Sequence, residues 1–82
     1  PRQYKVIMHN DDFTPMEFVV EILIDIFHKE LPEAERLMLT VHERGRAAVG
    51  FYTYDIAVTK IQIAARRAKQ EGFPFRMTVE EA

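Results

Sequence analysis

The chain has 82 residues, 48% of them hydrophobic and 29% charged, with 11 basic against 13 acidic side chains and a net charge of −2. That composition belongs to one globular domain over residues 1–82, not to a disordered segment, and at this length roughly 60–65% of the unfolded surface can be buried, which leaves room for a shallow pocket and not for a large cofactor cavity. The acidic balance argues against nucleic acid as the main partner, the absence of cysteine excludes disulfides, thiolate chemistry and cysteine-held zinc, and no apolar run is long enough to cross a membrane.

Tyr4 to His9 is a β-prone run, and the polar cluster Asn10-Asp11-Asp12 after it marks a turn or loop. Thr14, Pro15 and Glu17 together carry three helix-start signals: an N-cap, a first-turn proline and the acid of a capping box. The predicted helix runs from Pro15 to about Lys29. Its charged residues fall on one arc, and Met16, Val19, Val20, Ile22, Leu23, Ile24, Ile26 and Phe27 fill the rest. A helix this apolar is either covered on two sides or lends residues to a partner site. A second helix is predicted from near Pro32, with Ala34, Leu37, Met38 and Val41 at helical spacing and Gly45 as its terminator. Arg46 to Tyr52 reads as a strand with small residues. Thr53 is placed to cap a third helix, Tyr54 to about Glu71, whose inner stripe is Ala57, Ile61, Ala64, Ala65 and Ala68. So many alanines imply close backbone approach to a sheet. Phe75, Met77 and Val79 alternate with Arg76, Thr78 and Glu80 as a last strand. The order is β-α-α-β-α-β, an α+β sandwich without repeats or linkers.

Two polar features stand out against this frame. Asn10-Asp11-Asp12 has a reading as turn chemistry, in which Asn and Asp side chains bond nearby amides. With Thr14 assigned to the cap, it has a second reading as surplus acceptor oxygen suited to a small cation, an ammonium or a metal ion. His42, in the last turn of the second helix, is either a partner of the helix dipole or a hydrogen-bonding group at a pocket rim. His9 reads as a strand-end residue and His28 as a solvated one. Asp11, Asp12 and His42 have ligand chemistry but none of the spacings of recognised metal motifs, and no nucleophile elbow or phosphate-cradling glycine loop occurs. Neither a metal, a cofactor nor an enzymatic activity is expected.

Asn10-Asp11-Asp12-Phe13-Thr14-Pro15-Met16-Glu17-Phe18-Val19 resembles the signature of the ClpS family. Leu37 to Gly45 (LMLTVHERG) is similar to a second block of that family, and Thr53 to Lys60 (TYDIAVTK) to a third, in family order and spacing. The resemblance implies three helices packed on a three-stranded antiparallel sheet. It implies a non-enzymatic adaptor of the N-end rule pathway, which binds proteins bearing a bulky hydrophobic or aromatic N-terminal residue and hands them to the ClpA unfoldase of the ClpP protease. It assigns the α-amino group to Asn10, Asp12 and His42, with Asp11 close by, and the side chain to a pocket of Thr14, Met16, Val19, Met38, Val41 and Phe75. Asp55 and Lys60 match the family's unfoldase contacts, although spacing alone reads them as a dipole partner and a solvated lysine. Phe75 stands where the family commonly has leucine. The family's N-terminal extension, used for delivery and not for peptide binding, has no counterpart in these 82 residues.

The expected location is the cytoplasm, since a cysteine-free chain with no signal peptide in view fits a reducing compartment. A monomer is expected, with neither nucleic acid nor membrane as partner. Two rivals follow from the same residues: a binding module of the same fold, like the C-terminal domain of the ribosomal stalk protein, and a small metal-dependent hydrolase built on Asp11, Asp12 and His42.

Overall fold

A computed structural model describes all 82 residues. The elements follow the predicted order: β1 (Tyr4–His9), α1 (Met16–Asp25), α2 (Leu31–Arg44), β2 (Arg46–Tyr52), α3 (Tyr54–Glu71) and β3 (Arg76–Glu81). The sheet is antiparallel with order β2-β1-β3, so the first strand lies at its centre. Alternation along β1 sends Val6 and Met8 into the core, each with no accessible surface, and their β3 partners Val79 and Met77 share that side. Phe18, Val19, Ile22, Leu23, Ile26 and Phe27 of the α1 segment cover the core from above, with Ala34, Leu37 and Val41 from α2 and Ala57, Ala64 and Ala68 from α3. No helix is long and apolar enough to cross a membrane.

The alanine stripe of α3 is narrower than its sequence implies. Ala57, Ala64 and Ala68 are buried, but Ala65 is exposed, because it is rotated by about 100° from Ala64 around the helix. The stripe's inner edge is therefore set by Ile61, which is half-buried against the core.

Both ends of α1 depart from the predicted ones. Thr14 does not cap it. The cap position is Pro15, whose extended backbone leaves its carbonyl to accept from the amides of Phe18 and Val19. The capping box with Glu17 does not form, since the Thr14 hydroxyl is drawn instead to the Asp11 carboxylate at 2.7 Å. At the other end the helix stops at Asp25 instead of Lys29. His28 adopts a left-handed conformation (φ 57°), and the Lys29 amide turns back to the Leu23 carbonyl at 3.0 Å. Ile26 and Phe27, where the helix gives way to the turn, are both buried.

Stopping α1 there leaves the Ile26 carbonyl without a helical partner. Lys60 of α3 supplies one, its Nζ donating at 2.7 Å. The same ammonium lies over the rings of Tyr52, 5.2 Å from the centroid, and Phe27, at 5.7 Å. Tyr52 reaches that position by lying across Gly50, where an added Cβ would come within 2.5 Å of the phenol oxygen. Burial pushes the Tyr52 phenol above its ordinary pKa, as expected for a ring enclosed on this side. Lys60 is thus a strut between α3 and the end of α1 and not the solvated lysine that its spacing suggests. A charged hydrogen bond and two cation–π contacts are lost together in Lys60→Ala, which should lower unfolding free energy by about 1–3 kcal/mol. Urea denaturation checks this, and a Lys60→Ala protein as stable as the parent would show that the strut carries no load.

Candidate functional site

Asp11 organises the loop between β1 and α1. One of its carboxylate oxygens accepts from the amides of Phe13 at 2.8 Å and Thr14 at 2.7 Å, and the other accepts from the Thr14 hydroxyl. This is an Asx-type turn closed a second time by a side chain. Burial acts to raise the pKa of this carboxyl, but the three hydrogen bonds outweigh it and hold the group below its ordinary value. The turn reading of the polar cluster therefore holds for Asp11, while it leaves Asn10 and Asp12 unspent.

A second fastening sets the loop against α2. Gly45 ends that helix in a left-handed conformation (φ 88°), which a residue with a Cβ adopts only at a cost. Its amide closes onto the Val41 carbonyl, and its own carbonyl accepts from the Asn10 amide at 2.9 Å. His42 lies three residues before Gly45, so the loop and the last turn of α2 are brought to one place.

Between them opens a cavity of about 190 Å³. Its wall contains Asn10, Asp11, Asp12, Thr14, Met16, Val19, Met38, Val41, His42 and Phe75, all of the residues assigned to the α-amino group and to the side-chain pocket. Val19, Val41 and Phe75 form its buried apolar part, with Met38 half-buried beside them. Met16 is 46% exposed at the first turn of α1. The Phe75 ring is held edge-on by Phe18 at 5.7 Å, and Phe18 is held in turn by Phe73 at 5.0 Å. An aromatic residue at this position is thus seated in the core and not left loose at the rim.

The polar groups of the cavity divide into engaged and unengaged. Asp11 is consumed by its turn, but the side chains of Asn10, Asp12 and His42 make no hydrogen bond or ion pair within the protein. The result is an apolar socket edged by acceptor-capable groups, one of them a carboxylate. Such a site suits a ligand that joins a cationic donor to an apolar side chain. No three His, Cys, Asp or Glu side chains converge on a point where a metal ion could sit, so Asp11, Asp12 and His42 do not form the centre that a metal-dependent hydrolase would need.

One wall residue escaped the sequence reading. His9, a strand-end residue as predicted, also borders the cavity. Its Nε2 shares a hydrogen bond with the Thr78 hydroxyl at 2.7 Å. Burial, and then the charges of Arg76 and Arg46, lower its pKa against a smaller opposing effect of Glu80. The available signal was its place directly before Asn10.

Asp55 and Lys60 lie elsewhere, on the outer side of α3. With Ile56, Thr59 and Ile63 they line a shallow groove, in which Asp55 is exposed and Lys60 is tied inward to Ile26.

Comparison with known proteins places this architecture. A family model described as ATP-dependent Clp protease adaptor protein ClpS matches residues 1–78. The ATP-dependent Clp protease adapter protein ClpS of Nitratidesulfovibrio vulgaris is 51% identical over 81 residues, covering 99% of this chain and 81% of that protein. Its counterpart from Treponema denticola is 53% identical over 81 residues, covering 99% and 80%. A solved structure of Agrobacterium tumefaciens ClpS2 bound to L-phenylalaninamide is similar with a TM-score of 0.96 at 40% identity, covering 100% of this chain and 99% of that one.

The Asp11 turn has a consequence that acid should reveal. A carboxyl whose pKa is lowered by folding adds stability above its unfolded value, near 4, and the contribution is lost as pH falls through the lower folded value. Asp11→Ala should therefore cost about 1 kcal/mol at pH 7 and progressively less as the medium becomes strongly acidic. Parallel denaturation of the two proteins at neutral and acid pH measures it. A cost that persists unchanged when the carboxyl is protonated would rule out the charge as its source.

Proposed function

Because the chain belongs to the ClpS family of ATP-dependent Clp protease adaptors, we propose that its cavity captures proteins by a free N-terminal residue that is bulky and hydrophobic or aromatic (Phe, Tyr, Trp, Leu), and that it delivers them as a monomeric adaptor to the ClpA unfoldase for degradation by ClpP. The observation that carries this reading is the set of unengaged polar side chains, Asn10, Asp12 and His42, around an apolar socket. An α-ammonium has three donors and needs three acceptors. The Asn10 carboxamide oxygen, the Asp12 carboxylate and a ring nitrogen of His42 are those acceptors. Asp11 does not bind the ammonium directly. It holds the loop in shape and adds negative charge beside it.

The side chain of the captured residue enters between Val19, Met38, Val41 and Phe75. Thr14 and Met16 stand at the entrance, where Met16 excludes β-branched residues by contact with their second Cβ substituent. L-Phenylalaninamide, the molecule bound in the Agrobacterium relative, carries the same three parts as an N-terminal Phe: a free amine, a benzyl group and an amide continuing the chain. Energetics require both halves of the recognition. Burying a Leu or Phe side chain gives roughly 1.5–3 kcal/mol, and each well-made charged hydrogen bond about 1.5–3 kcal/mol. Micromolar binding needs about 8 kcal/mol; the apolar half falls well short of it, and three charged hydrogen bonds reach it only at the top of their range, before the cost of association is met. The reaction chemistry belongs to the protease, and the adaptor needs none.

Delivery uses the α3 groove, with Asp55 as its exposed charge. The Lys60 ammonium, already bonded to Ile26, offers its remaining donors and its stem.

Fluorescence anisotropy of labelled peptides beginning with Phe, Leu, Tyr or Trp, each beside its N-acetylated twin, tests the capture. Only the free amines should bind, and equal behaviour of the twins would refute it. His42→Ala should weaken the free-amine Phe peptide by about 10- to 100-fold, the loss of one charged hydrogen bond. Normal binding by that variant removes His42 from the site. Met16→Ala should admit peptides beginning with Val or Ile, whereas continued rejection of both would place the exclusion on another residue.

A further inference from the structure

The sheet's open face carries an uneven charge distribution next to the cavity. Pairing sets Lys5, Ile7 and His9 of β1 on that face, with Arg46 and Ala48 of β2 on one side and Arg76, Thr78 and Glu80 of β3 on the other. Glu80 is the one carboxylate among them. It is shared by Arg46 at 2.5 Å and Lys5 at 3.9 Å. Arg76 is exposed and has no acidic partner. In a chain of net charge −2, this end of the sheet is locally cationic.

Its position relative to the cavity is close. Arg76 follows the wall residue Phe75 in the chain and faces the wall residue His9 across the ladder, while Arg46 faces His9 from the opposite strand. Paired strands lie about 4.8 Å apart, and two residues of an extended peptide span roughly 7 Å. A peptide that leaves the cavity along the sheet side brings its second and third residues within reach of these guanidinium groups. The arginine field is already felt at the wall, where, next to burial, it disfavours protonation of His9. Of the acids on the opposite rim, Asp12 is taken by the incoming ammonium, and Asp11 keeps its charge but is held within its own loop by three internal donors, which leaves the arginines as the charges on the sheet side.

Resting on the capture of N-terminal residues proposed above, we infer that this protein favours substrates with an acidic side chain at the second or third position, read by the unpaired Arg76, with Arg46 across β1 from it. The free-amine peptides Phe-Ala-Ala, Phe-Glu-Glu and Phe-Lys-Lys, extended by one common labelled tail, test this by anisotropy at low salt. The Glu peptide should bind about fivefold more tightly than the Lys peptide, the effect of exposed charge pairs. Arg76→Gln should narrow that gap and leave Phe-Ala-Ala within about twofold of its parent affinity, Arg76→Glu should reverse the gap, and raising salt should compress it in the unaltered protein. Circular dichroism checks that the variants fold, and the salt series on the unaltered protein tests the inference without them. Equal affinities, a preference for the Lys peptide, a gap insensitive to salt, or a gap untouched by Arg76→Gln in a folded variant each overturn it. Failure of Phe-Ala-Ala itself to bind is a distinct result that removes the underlying capture and this inference with it.

Discussion

One backbone hydrogen bond, from the Asn10 amide to the Gly45 carbonyl, holds together the two segments on which the site depends. The loop after β1 and the end of α2 are separated by more than thirty residues of chain. They meet because β1 lies at the centre of the sheet and β2, which starts directly after Gly45, pairs with it in antiparallel register from His9 and Arg46 onward. The turn at Gly45 thus serves three elements at once. It stops α2, starts β2, and presents the carbonyl that fixes the loop. Asp11 completes the arrangement by gathering the amides and hydroxyl that would otherwise leave the loop without internal order. With the Asn10, Phe13 and Thr14 amides bonded within the protein, the loop can leave the side chains of Asn10 and Asp12 unpaired at low cost, since both are exposed to water until a ligand replaces it.

The short core explains how so small a chain carries a socket at all. Helix α1 is apolar on most of its circumference, and its residues are divided between two uses. Phe18, Ile22 and Leu23 pack in the core, while Met16 and Val19, on the first turn, border the cavity. The socket is an edge of the core left open at the helix start and closed at the bottom by Phe75, whose ring is braced by Phe18. That edge-to-face contact seats the Phe75 ring against the core.

The far end of α1 is secured by different means. There regular helix ends with Ile26 and Phe27 buried, and the carbonyl that this leaves open is taken by Lys60 from α3. One lysine therefore bridges the helix that borders the socket and the helix that carries the outer groove. Electrostatics are equally divided across the cavity mouth, with carboxylates on the loop side and arginines on the sheet side. A ligand carrying a positive end and an acidic continuation fits that polarity.

Element order, helix lengths beyond α1 and the strand boundaries were legible from the chain, because alternation, helical spacing, and the terminators Gly45 and Gly72 all agree there. The family motifs, read as a block, also brought together the residues that line the cavity. What local rules misjudged were the places where a more distant partner competed. Thr14 has every local reason to cap α1, yet its hydroxyl goes to Asp11, a stronger acceptor three residues back. Lys60 looks like any solvated lysine until α1 ends beneath it. Ala65 looks like part of the stripe until the rotation of α3 is known. Helical and strand periodicity act over a few residues and are written in the chain, so the sequence by itself determined the elements and the chemistry of the candidate site. Only the tertiary structure decided which polar groups are spent on the fold and which are left for a ligand, because hydrogen-bond partners are settled by proximity in space and not by spacing along the chain.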